Sequence, residues 1–338
     1  MVQPILEVKR LSKDYRVESK ARGLFRKPSY VRVLDEISFE LHEGETLSVV
    51  GESGCGKTTL GRCIVRGIEA SEGEALYVAE GGERVDYLKL KGKDAKKYRK
   101  DIQMIFQDPY SSLSPRMSVF DIISEPLVAS RKLSRAEVEE KVTDIAAKTG
   151  LNVNYLRRYP HAFSGGQRQR IAIARALVSR PRLVVCDEAV SALDVSIQAQ
   201  IINLLKDLQE QFGITYVFIS HDLSVVQNIS DRVAVMHLGK IVELAPVASL
   251  FARPRHPYSE ALMSAVPQPD PERKKERIIL EGEVPNPANP PSGCHFHPRC
   301  PYKTERCALE APRLQEIGEG HHAACHYAEQ LTLRGVNA

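Results

Sequence analysis

A glycine-rich segment near residue 50 has the composition and spacing of a phosphate-binding loop. The apolar run Thr46-Leu-Ser-Val-Val50 leads into Gly51-Glu-Ser-Gly-Cys-Gly-Lys57-Thr58, which fits the pattern G-x-x-x-x-G-K-[ST] between a predicted strand and a predicted helix. Backbone N–H groups of such a loop surround phosphates, and the N-terminus of the following helix favours their negative charge. We expect Lys57 to reach the β- and γ-phosphates and Thr58 to hold Mg²⁺. The predicted ATP-binding residues here are Gly51, Glu52, Ser53, Gly54, Cys55, Gly56, Lys57, Thr58 and Thr59.

Two adjacent acids end a second apolar run. The segment Arg182-Leu-Val-Val-Cys-Asp187-Glu188 predicts a buried strand with both carboxylates at its carboxyl end. An acid at this position, beside a phosphate loop, can hold Mg²⁺ through water, and this fits Asp187. Glu188 could polarise the attacking water. Taken alone, the two acids could also be a solvated strand end. Together with the phosphate loop, they predict hydrolysis of the bound phosphate compound.

The elements that must position these groups alternate along the first 250 residues. Strands are predicted at 37–41, 46–50, 102–106, 182–186, 215–220 and 232–236, and helices at 58–66, 166–178, 196–211 and 223–229. This alternation predicts an α/β core around a largely parallel sheet. Residues from 119 to about 159 are predicted to form an inserted helical subdomain.

The composition is that of a folded protein. The chain has 338 residues, 43% apolar and 27% charged, which is enough for a sizeable core and argues against disorder. It has no run of 18 apolar residues, so a membrane span is excluded, and the N-terminus does not resemble a secretory signal. The net charge of +4 is too small to indicate a nucleic-acid partner, and the basic run 89–100 is predicted to be a solvated helical face rather than a nucleic-acid or membrane surface.

Cysteine, histidine and proline concentrate towards the C-terminus. Proline-rich stretches at 267–271 and 285–291 predict linkers, and we place a domain boundary near residue 250. Without a secretory signal, clustered cysteines more often bind metal than form disulfides. Four thiolates suit a [4Fe–4S] cluster, while Zn²⁺ or free thiols remain alternatives, and the absence of a C-x-x-C pair weakens a zinc ribbon. The candidate ligands are Cys294, Cys300, Cys307 and Cys325.

One segment resembles the signature motif of ATP-binding cassette (ABC) proteins. It reads Phe163-Ser164-Gly165-Gly166-Gln167-Arg168, and its serine and glycines expose N–H donors at the start of a predicted helix. The resemblance implies that this helix end binds the γ-phosphate of ATP held by an opposite subunit, so that ATP is enclosed in a dimer.

Other ABC elements follow in the expected order. Gln107 matches the Q-loop, which joins the core to the helical subdomain, and Asp194 ends the D-loop Ser191-Ala-Leu-Asp194. His221 matches the switch histidine that contacts the γ-phosphate. Tyr15 matches the aromatic residue that stacks on adenine, with Tyr30 as an alternative. The resemblance implies Glu188, His221 and Gln107 as catalytic residues and Thr58, Gln107 and Asp187 as the Mg²⁺ site.

Three further segments resemble the ATPase subunits of oligopeptide/dipeptide importers. They are Asp194-Val-Ser-Ile-Gln-Ala-Gln200, the extended Q-loop from Phe106 to Arg116, and His256-Pro-Tyr258. The implied fold is an α/β P-loop ABC ATPase core with an inserted helical subdomain and a small Cys-rich C-terminal extension. The implied domains are a nucleotide-binding domain at 1–250, with the helical subdomain at about 108–165, and a transporter-type C-terminal domain at 251–338. The extension lies far in sequence from every ATP motif, so its iron–sulfur site is expected to have a scaffolding or docking role.

The implied function is to power peptide import through a membrane permease by ATP-driven dimerisation of cassettes. The expected partners are two transmembrane permease subunits, a second ABC ATPase subunit, as a heterodimer or a copy, and an extracytoplasmic substrate-binding protein, with no nucleic acid. The expected location is peripheral, on the cytoplasmic face of the inner membrane. Alternatives are a nickel or sugar importer, or a DNA-repair-type ABC ATPase with a zinc site, which the short spacing between Gln107 and Ser164 disfavours.

Overall fold

The computed structural model describes residues 3–17, 29–130, 133–266, 278–283, 285–318 and 320–336. The predicted linker at 267–271 lies outside them. The strands are β1 Pro4–Val17, β2 Ser29–His42, β3 Thr46–Val50, β4 Glu72–Val78, β5 Arg84–Asp86, β6 Ile102–Ile105, β7 Leu183–Asp187, β8 Thr215–Ile219, β9 Arg232–His237, β10 Lys240–Pro246, β11 Gln315–Gly318 and β12 His321–Ala323. The α-helices are α1 Lys57–Ile64, α2 Gly92–Tyr98, α3 Pro109–Ser112, α4 Val119–Ser130, α5 Arg135–Lys148, α6 Gly165–Leu177, α7 Val195–Phe212, α8 Leu223–Ile229, α9 Val247–Ala252, α10 Pro257–Ser264 and α11 Glu305–Leu309. Short 3-10 helices lie at Val153–Tyr155, Pro160–Ala162 and His297–Arg299.

The main sheet is mostly parallel, as the sequence predicts. Its strand order is β11-β12-β10-β9-β3-β8-β7-β6, and the neighbouring strands from β9 to β6 are parallel. The predicted strands and helices agree with the observed ones within two residues, except that β2 begins at Ser29 rather than at residue 37. Because β3, β7 and β8 are buried along their whole length, their sequences are continuous apolar runs.

Successive residues of the central strands pack into different cores. Val184 and Cys186 of β7 face a core built with helices α4 to α7, whereas Leu183 and Val185 face a core built with α1 and the second sheet. Parallel strands of one sheet end at the same edge, so the loop after β3 and the acids after β7 lie together.

A second, antiparallel sheet has the order β2-β1-β4-β5, and sequence analysis missed most of it. Its longest pairing, between β1 and β2, shifts register four times. Such irregularities interrupt the alternation of buried and exposed residues that identifies a half-buried strand. The alternating pattern that would have revealed β1 is therefore absent from its sequence.

The C-terminal extension continues the main sheet and shares its core. Strand β12 pairs with β10, and Phe251, Tyr258 and Phe296 pack against Val233 and Val235 of β9. This packing crosses the boundary that we placed near residue 250. Within the described ranges, no helix is long and apolar enough to cross a membrane.

A buried carboxylate joins the extension to β10. Glu243 is fully buried and accepts hydrogen bonds from the backbone N–H groups of Arg255 and His256, at 2.7 and 2.9 Å. Its carboxylate also lies 2.6 Å from His321 Nε2 on β12. A buried carboxylate needs such partners, and two segments of the extension supply them here.

Two buried histidines that pack against the ring of Phe296 predict a loss of stability in acid. Burial lowers the pKa of His256 to about 3 and that of His237 to about 4 from an ordinary 6.5. Between the unfolded and folded values the unfolded chain binds more protons, so the free energy of unfolding falls as pH falls below about 6.5. We expect His256 alone to cost about 2 kcal/mol at about pH 5.

Urea unfolding of wild type and His256→Asn at about pH 7 and pH 5 measures this cost. Asparagine keeps the side-chain acceptor that His256 supplies to Tyr258 N at the start of α10 but cannot titrate. The variant should lose less stability on acidification than wild type, and equal losses would contradict the assignment.

Candidate functional site

The phosphate loop between β3 and α1 depends on two glycines. Gly51 has φ +151°, and a Cβ there would lie 2.2 Å from Met236 O. Gly56 has φ +106°, and a Cβ would lie 2.8 Å from Val33 O. Only glycine avoids both the close approach and the unfavourable φ, so the spacing of the motif is a steric requirement of this loop.

Lys57 bridges two backbone carbonyl groups of the loop. Its side chain is buried, and Nζ donates hydrogen bonds to Gly51 O at 2.8 Å and Glu52 O at 3.0 Å. An ammonium group has three N–H donors, and at this position in the loop Lys57 can donate them to the oxygens of an anion.

The two predicted magnesium ligands of α1 and β7 contact each other. Thr58 Oγ1 donates a hydrogen bond to Asp187 Oδ1 at 3.0 Å. Burial raises the pKa of Asp187 above its ordinary value, and the bond from Thr58 opposes that rise. A hydroxyl and a carboxylate at one point form a hard oxygen donor set of the kind that Mg²⁺ prefers.

Glu188 is held at the mouth of the site by both of its predicted neighbours. Gln107 Nε2 donates to Glu188 Oε2 at 2.7 Å, and His221 Nδ1 lies 3.4 Å from Glu188 Oε1. Glu188 has φ +46°, which is unfavourable for a residue with a side chain. Backbone hydrogen bonds from Glu188 N to Ile219 O and from Ser191 N to Glu188 O retain this conformation. Backbone strain retained in this way is concentrated at functional sites.

Residues of the phosphate loop line one open cleft of about 570 Å³ together with Gln107, Glu188 and His221, whereas Gly51, Glu52, Cys55 and Asp187 do not line it. This volume lies within the range of roughly 300–1,000 Å³ that is usual for small-molecule sites. Its lining comprises Val33, Ser53, Gly54, Gly56, Lys57, Thr58, Thr59, Gln107, Glu188 and His221. Val33 is the one member that sequence analysis missed, because nothing in its local pattern distinguishes it from other residues of β2.

The signature and D-loop residues do not line this cleft. Ser164 caps α6, accepting a hydrogen bond from Gln167 N, while Gln167 Oε1 accepts one from Ser164 N. Asp194 likewise caps α7, and its hydrogen bonds from Ile197 N and Ser196 lower the pKa of its carboxyl group. Among the described residues, Ser164, Gly165, Gly166, Gln167 and Asp194 are thus positioned by helix N-termini away from the phosphate loop.

The predicted adenine-stacking residue is also outside the cleft lining. Tyr15 lies on β1 opposite Val31, with its ring 39% exposed and Lys13 Nζ 5.1 Å from the ring centre. Tyr30, the alternative, lies opposite Arg16 and is 59% exposed. Val31, the partner of Tyr15, is two residues along β2 from Val33, a residue of the cleft lining.

The four C-terminal cysteines line a single small cavity. It measures about 20 Å³ and is lined by Cys294, Cys300, Cys307 and Cys325 together with aromatic and histidine side chains. Burial raises the pKa of Cys300 to about 12 and of Cys325 to about 11, so both thiols are protonated in this arrangement. Within the described part of the chain, no three His, Cys, Asp or Glu side chains are arranged to hold a metal ion. The donor set has the composition of a thiolate site, but the metal stays a prediction.

Two side chains of the extension contact the phosphate loop. Sequence analysis missed these contacts because the two segments lie far apart along the chain. Arg299 makes two hydrogen bonds to the Glu52 carboxylate, at 2.8 and 3.0 Å. The hydroxyl of Tyr258 accepts a hydrogen bond from Glu52 N at 2.8 Å. The extension is therefore part of the surroundings of the loop.

Two family models match the chain. The ABC transporter model matches residues 34–191, which include the phosphate loop, Gln107, the signature segment and both acids. The model of the oligopeptide/dipeptide transporter C-terminal region matches residues 242–307, which include Tyr258, Arg299 and three of the four clustered cysteines.

Curated relatives are similar over almost the whole length. The probable peptide ABC transporter ATP-binding protein y4tS of Sinorhizobium fredii is 50% identical over 327 residues, which are 96% of this chain and 90% of that protein. The oligopeptide transport ATP-binding protein OppF of Haemophilus influenzae is 51% identical over 324 residues, covering 95% and 96% of the two chains. The dipeptide transport ATP-binding protein DppF of the same organism is 48% identical over 326 residues, covering 96% of this chain and 97% of that protein.

Solved cassettes share the fold. The dimeric post-hydrolysis structure of the ATP-binding cassette MJ0796, bound to ADP and Pi, has a TM-score of 0.60 and 26% identity, covering 72% of this chain and 98% of that one. The structure of cbiO1 from Clostridium perfringens, part of the ABC transporter complex cbiONQ, has a TM-score of 0.60 and 29% identity, covering 73% of this chain and 90% of that one. The chain belongs to the ABC transporter family of ATP-binding proteins, among the members that carry the oligopeptide/dipeptide transporter C-terminal region.

Proposed function

We propose that this chain is the ATP-hydrolysing subunit of a peptide importer. The observation that carries the proposal is the position of Glu188, held by Gln107 and His221 at the cleft that the phosphate loop lines. A carboxylate held beside a phosphate site can accept a proton from an attacking water molecule. The peptide class is supported by the names of the relatives, which also favour it over nickel or sugars.

In the proposed mechanism the loop binds ATP before the carboxylate acts. Lys57 exchanges its bonds to Gly51 O and Glu52 O for phosphate oxygens, and the N–H groups of the loop surround the β-phosphate. Mg²⁺, when bound, would neutralise phosphate charge, and Thr58, Asp187 and Gln107 would hold it. Glu188 orients and deprotonates water, while His221 stabilises the γ-phosphate.

We infer a dimer of two ABC subunits from the position of the signature residues. Because they lie away from their own cleft, we infer that Ser164, Gly165, Gly166 and Gln167 close over ATP bound by a second ABC subunit, with Asp194 beside them. That subunit is proposed to be a different chain. Closure and reopening would drive two permease subunits, which receive peptide from an extracytoplasmic binding protein.

The proposed domains are a nucleotide-binding domain at 1–250, including a helical subdomain at about 108–165, and a C-terminal domain at 251–338. We place the chain on the cytoplasmic face of the inner membrane, attached through the permease. Tyr15 is proposed to stack on adenine.

Affinity purification of the chain from detergent-extracted membranes tests the assembly. We expect recovery with two integral-membrane proteins and a second cassette, and with no nucleic acid. Recovery as a species bound to DNA and free of membrane proteins would instead favour a repair-type ABC ATPase.

Ser164→Arg should separate ATP binding from hydrolysis. The arginine side chain would occupy the surface that closes over the partner's ATP, so turnover of the assembled complex should fall about a hundredfold or more. Nucleotide affinity of the isolated chain should stay unchanged, because Ser164 does not line its own cleft. Titration with a fluorescent ATP analogue measures that affinity.

Ser134→Arg is the matched control for this variant. Ser134 and Glu137 form the same capping box at α5 as Ser164 and Gln167 form at α6. Its substitution should cost stability and leave turnover intact. Loss of ATP affinity in isolated Ser164→Arg would contradict the inference that the signature acts on the partner's ATP.

The four clustered cysteines are proposed to hold a [4Fe–4S] cluster with a structural role, with Zn²⁺ as the alternative. Support comes from their lining of one cavity and from the short secondary structure of residues 285–318, which needs a further source of stability. Protein purified without air should contain iron and absorb broadly near ~400 nm. Cys300→Ser should lose the iron and Cys63→Ala, a thiol in the cassette core, should keep it. Stoichiometric zinc without iron would overturn the cluster.

A further inference from the structure

Among the described residues of the phosphate loop, only Glu52 makes hydrogen bonds to the extension through both its backbone N–H and its side chain. Its N–H donates a hydrogen bond to the hydroxyl of Tyr258. Its carboxylate accepts one hydrogen bond from each terminal nitrogen of the Arg299 guanidinium. A residue bonded at both ends in this way has little freedom to change its backbone angles. The extension therefore fixes the position of one member of the loop.

The two partners of Glu52 are themselves fixed. The side chain of Arg299 is 7% exposed, so its ion pair with Glu52 is poorly screened by solvent. The ring of Tyr258 is fully buried, and its centre lies 4.5 Å from that of His237 and 5.4 Å from that of Phe296. Partners that are buried and fixed by packing restrict the position of the residue that they bind.

The same residue contacts the ammonium group that is proposed to bind phosphate. Lys57 Nζ donates to Glu52 O at 3.0 Å. The next two loop residues, Ser53 and Gly54, line the nucleotide cleft on one side and a second cavity of about 220 Å³ on the other. The second cavity is also lined by His237 and by residues 285–287 of the extension.

We propose that Arg299 and Tyr258 are positioning residues of the phosphate loop, so that the ATP affinity of the cassette depends on the C-terminal extension. This proposal rests on the proposed function, since it assumes that the loop binds ATP. Arg299 and Tyr258 hold Glu52, and Glu52 in turn holds Lys57 and the start of the loop in the geometry that phosphate requires.

The position of Arg299 also connects the loop to the cysteine cavity. Arg299 ends the 3-10 helix that lies between Cys294 and Cys300. Backbone hydrogen bonds join His297 N to Cys294 O at 2.9 Å and Cys300 N to His297 O at 3.3 Å. The arginine that pairs with Glu52 therefore lies in the same turn as two of these thiols.

A double-mutant cycle on the full chain tests the positioning role. Arg299→Met should raise the dissociation constant for a fluorescent ATP analogue with Mg²⁺ roughly tenfold, which lies within the usual range of coupling between sites. In the Glu52→Gln background, the same change at Arg299 should have a much smaller effect, because the ion pair is already lost. Arg299→Lys, which keeps the charge but not the paired geometry, should recover part of the affinity.

Two further variants keep the test decisive if Arg299→Met folds poorly. Tyr258→Phe removes one hydroxyl and keeps the buried ring, and it should weaken binding about threefold. Arg306→Met removes an exposed arginine of the same extension that pairs with Glu310 rather than with the loop, and it should bind as wild type.

Wild-type affinity in both Arg299→Met and Tyr258→Phe would overturn the positioning role. An effect of Arg299→Met that persists in full in the Glu52→Gln background would also overturn it, since a general loss of stability would then explain the change. Lys57→Met is measured in parallel to distinguish failure of the positioning role from failure of the proposed function. If Lys57→Met also binds nucleotide with wild-type affinity, the loop is not the ATP site and the proposed function fails. If only Lys57→Met binds weakly, the positioning role alone fails.

Discussion

Glu188→Gln is expected to reduce ATP turnover of the assembled transporter by about 10²- to 10⁴-fold, the usual contribution of a positioned general base. Glutamine has nearly the same shape, and it can still contact Gln107 and His221, but it cannot accept the proton of the attacking water. ATP binding should persist, because neither the proposed phosphate contact of Lys57 nor the proposed Mg²⁺ contact of Thr58 involves this carboxylate. Phosphate release from the purified complex and the fraction of ATP-bound dimers measure the two effects.

Glu210→Gln on the exposed face of α7 makes the same chemical change away from the cleft and is the control. Its turnover should equal that of wild type. Near-normal hydrolysis in Glu188→Gln would mean that another group activates water, and the assignment of Glu188 as the base would be wrong.

Lys57→Met should have the second large effect, on binding rather than on hydrolysis. Methionine has a similar length but removes the charged donor from the loop, and hydrogen bonds to charged groups contribute about 1.5–3 kcal/mol. We therefore expect the dissociation constant of ATP to rise at least about tenfold. The substitution also removes the two hydrogen bonds from Lys57 Nζ to Gly51 O and Glu52 O.

Lys206→Met, at an exposed position on α7, is the control for loss of a lysine. Titration of each full-length variant with a fluorescent ATP analogue compares them directly. Equal affinities for wild type and Lys57→Met would place the nucleotide somewhere other than this loop.

The parts of the site that could be predicted from sequence are those built by neighbouring residues. The loop from Gly51 to Thr58 has its strand, its glycines and its helix within one short segment, so the motif is readable from sequence, although the atoms that exclude a side chain at Gly51 and Gly56 belong to Met236 and Val33. Asp187 and Glu188 follow a continuous apolar strand, which the burial of β7 on both sides requires.

The contacts that escaped prediction join distant parts of the chain. Arg299 and Glu52 are 247 positions apart, and no periodicity in either segment indicates that they meet. Strand β1 escaped because its pairing with β2 shifts register, which removes the alternation of buried residues. The four cysteines were recognised as a group, yet their spacing alone could not decide between iron, zinc and free thiols.

We propose that ATP hydrolysis by this chain drives peptide import. Right-side-out membrane vesicles loaded with ATP test this directly. Vesicles with the wild-type complex and the binding protein outside should accumulate a labelled peptide when ATP is inside. Vesicles with Glu188→Gln should assemble the same complex and accumulate none. Equal accumulation in both, or ATP-dependent uptake of nickel or a sugar in place of peptide, would contradict the account.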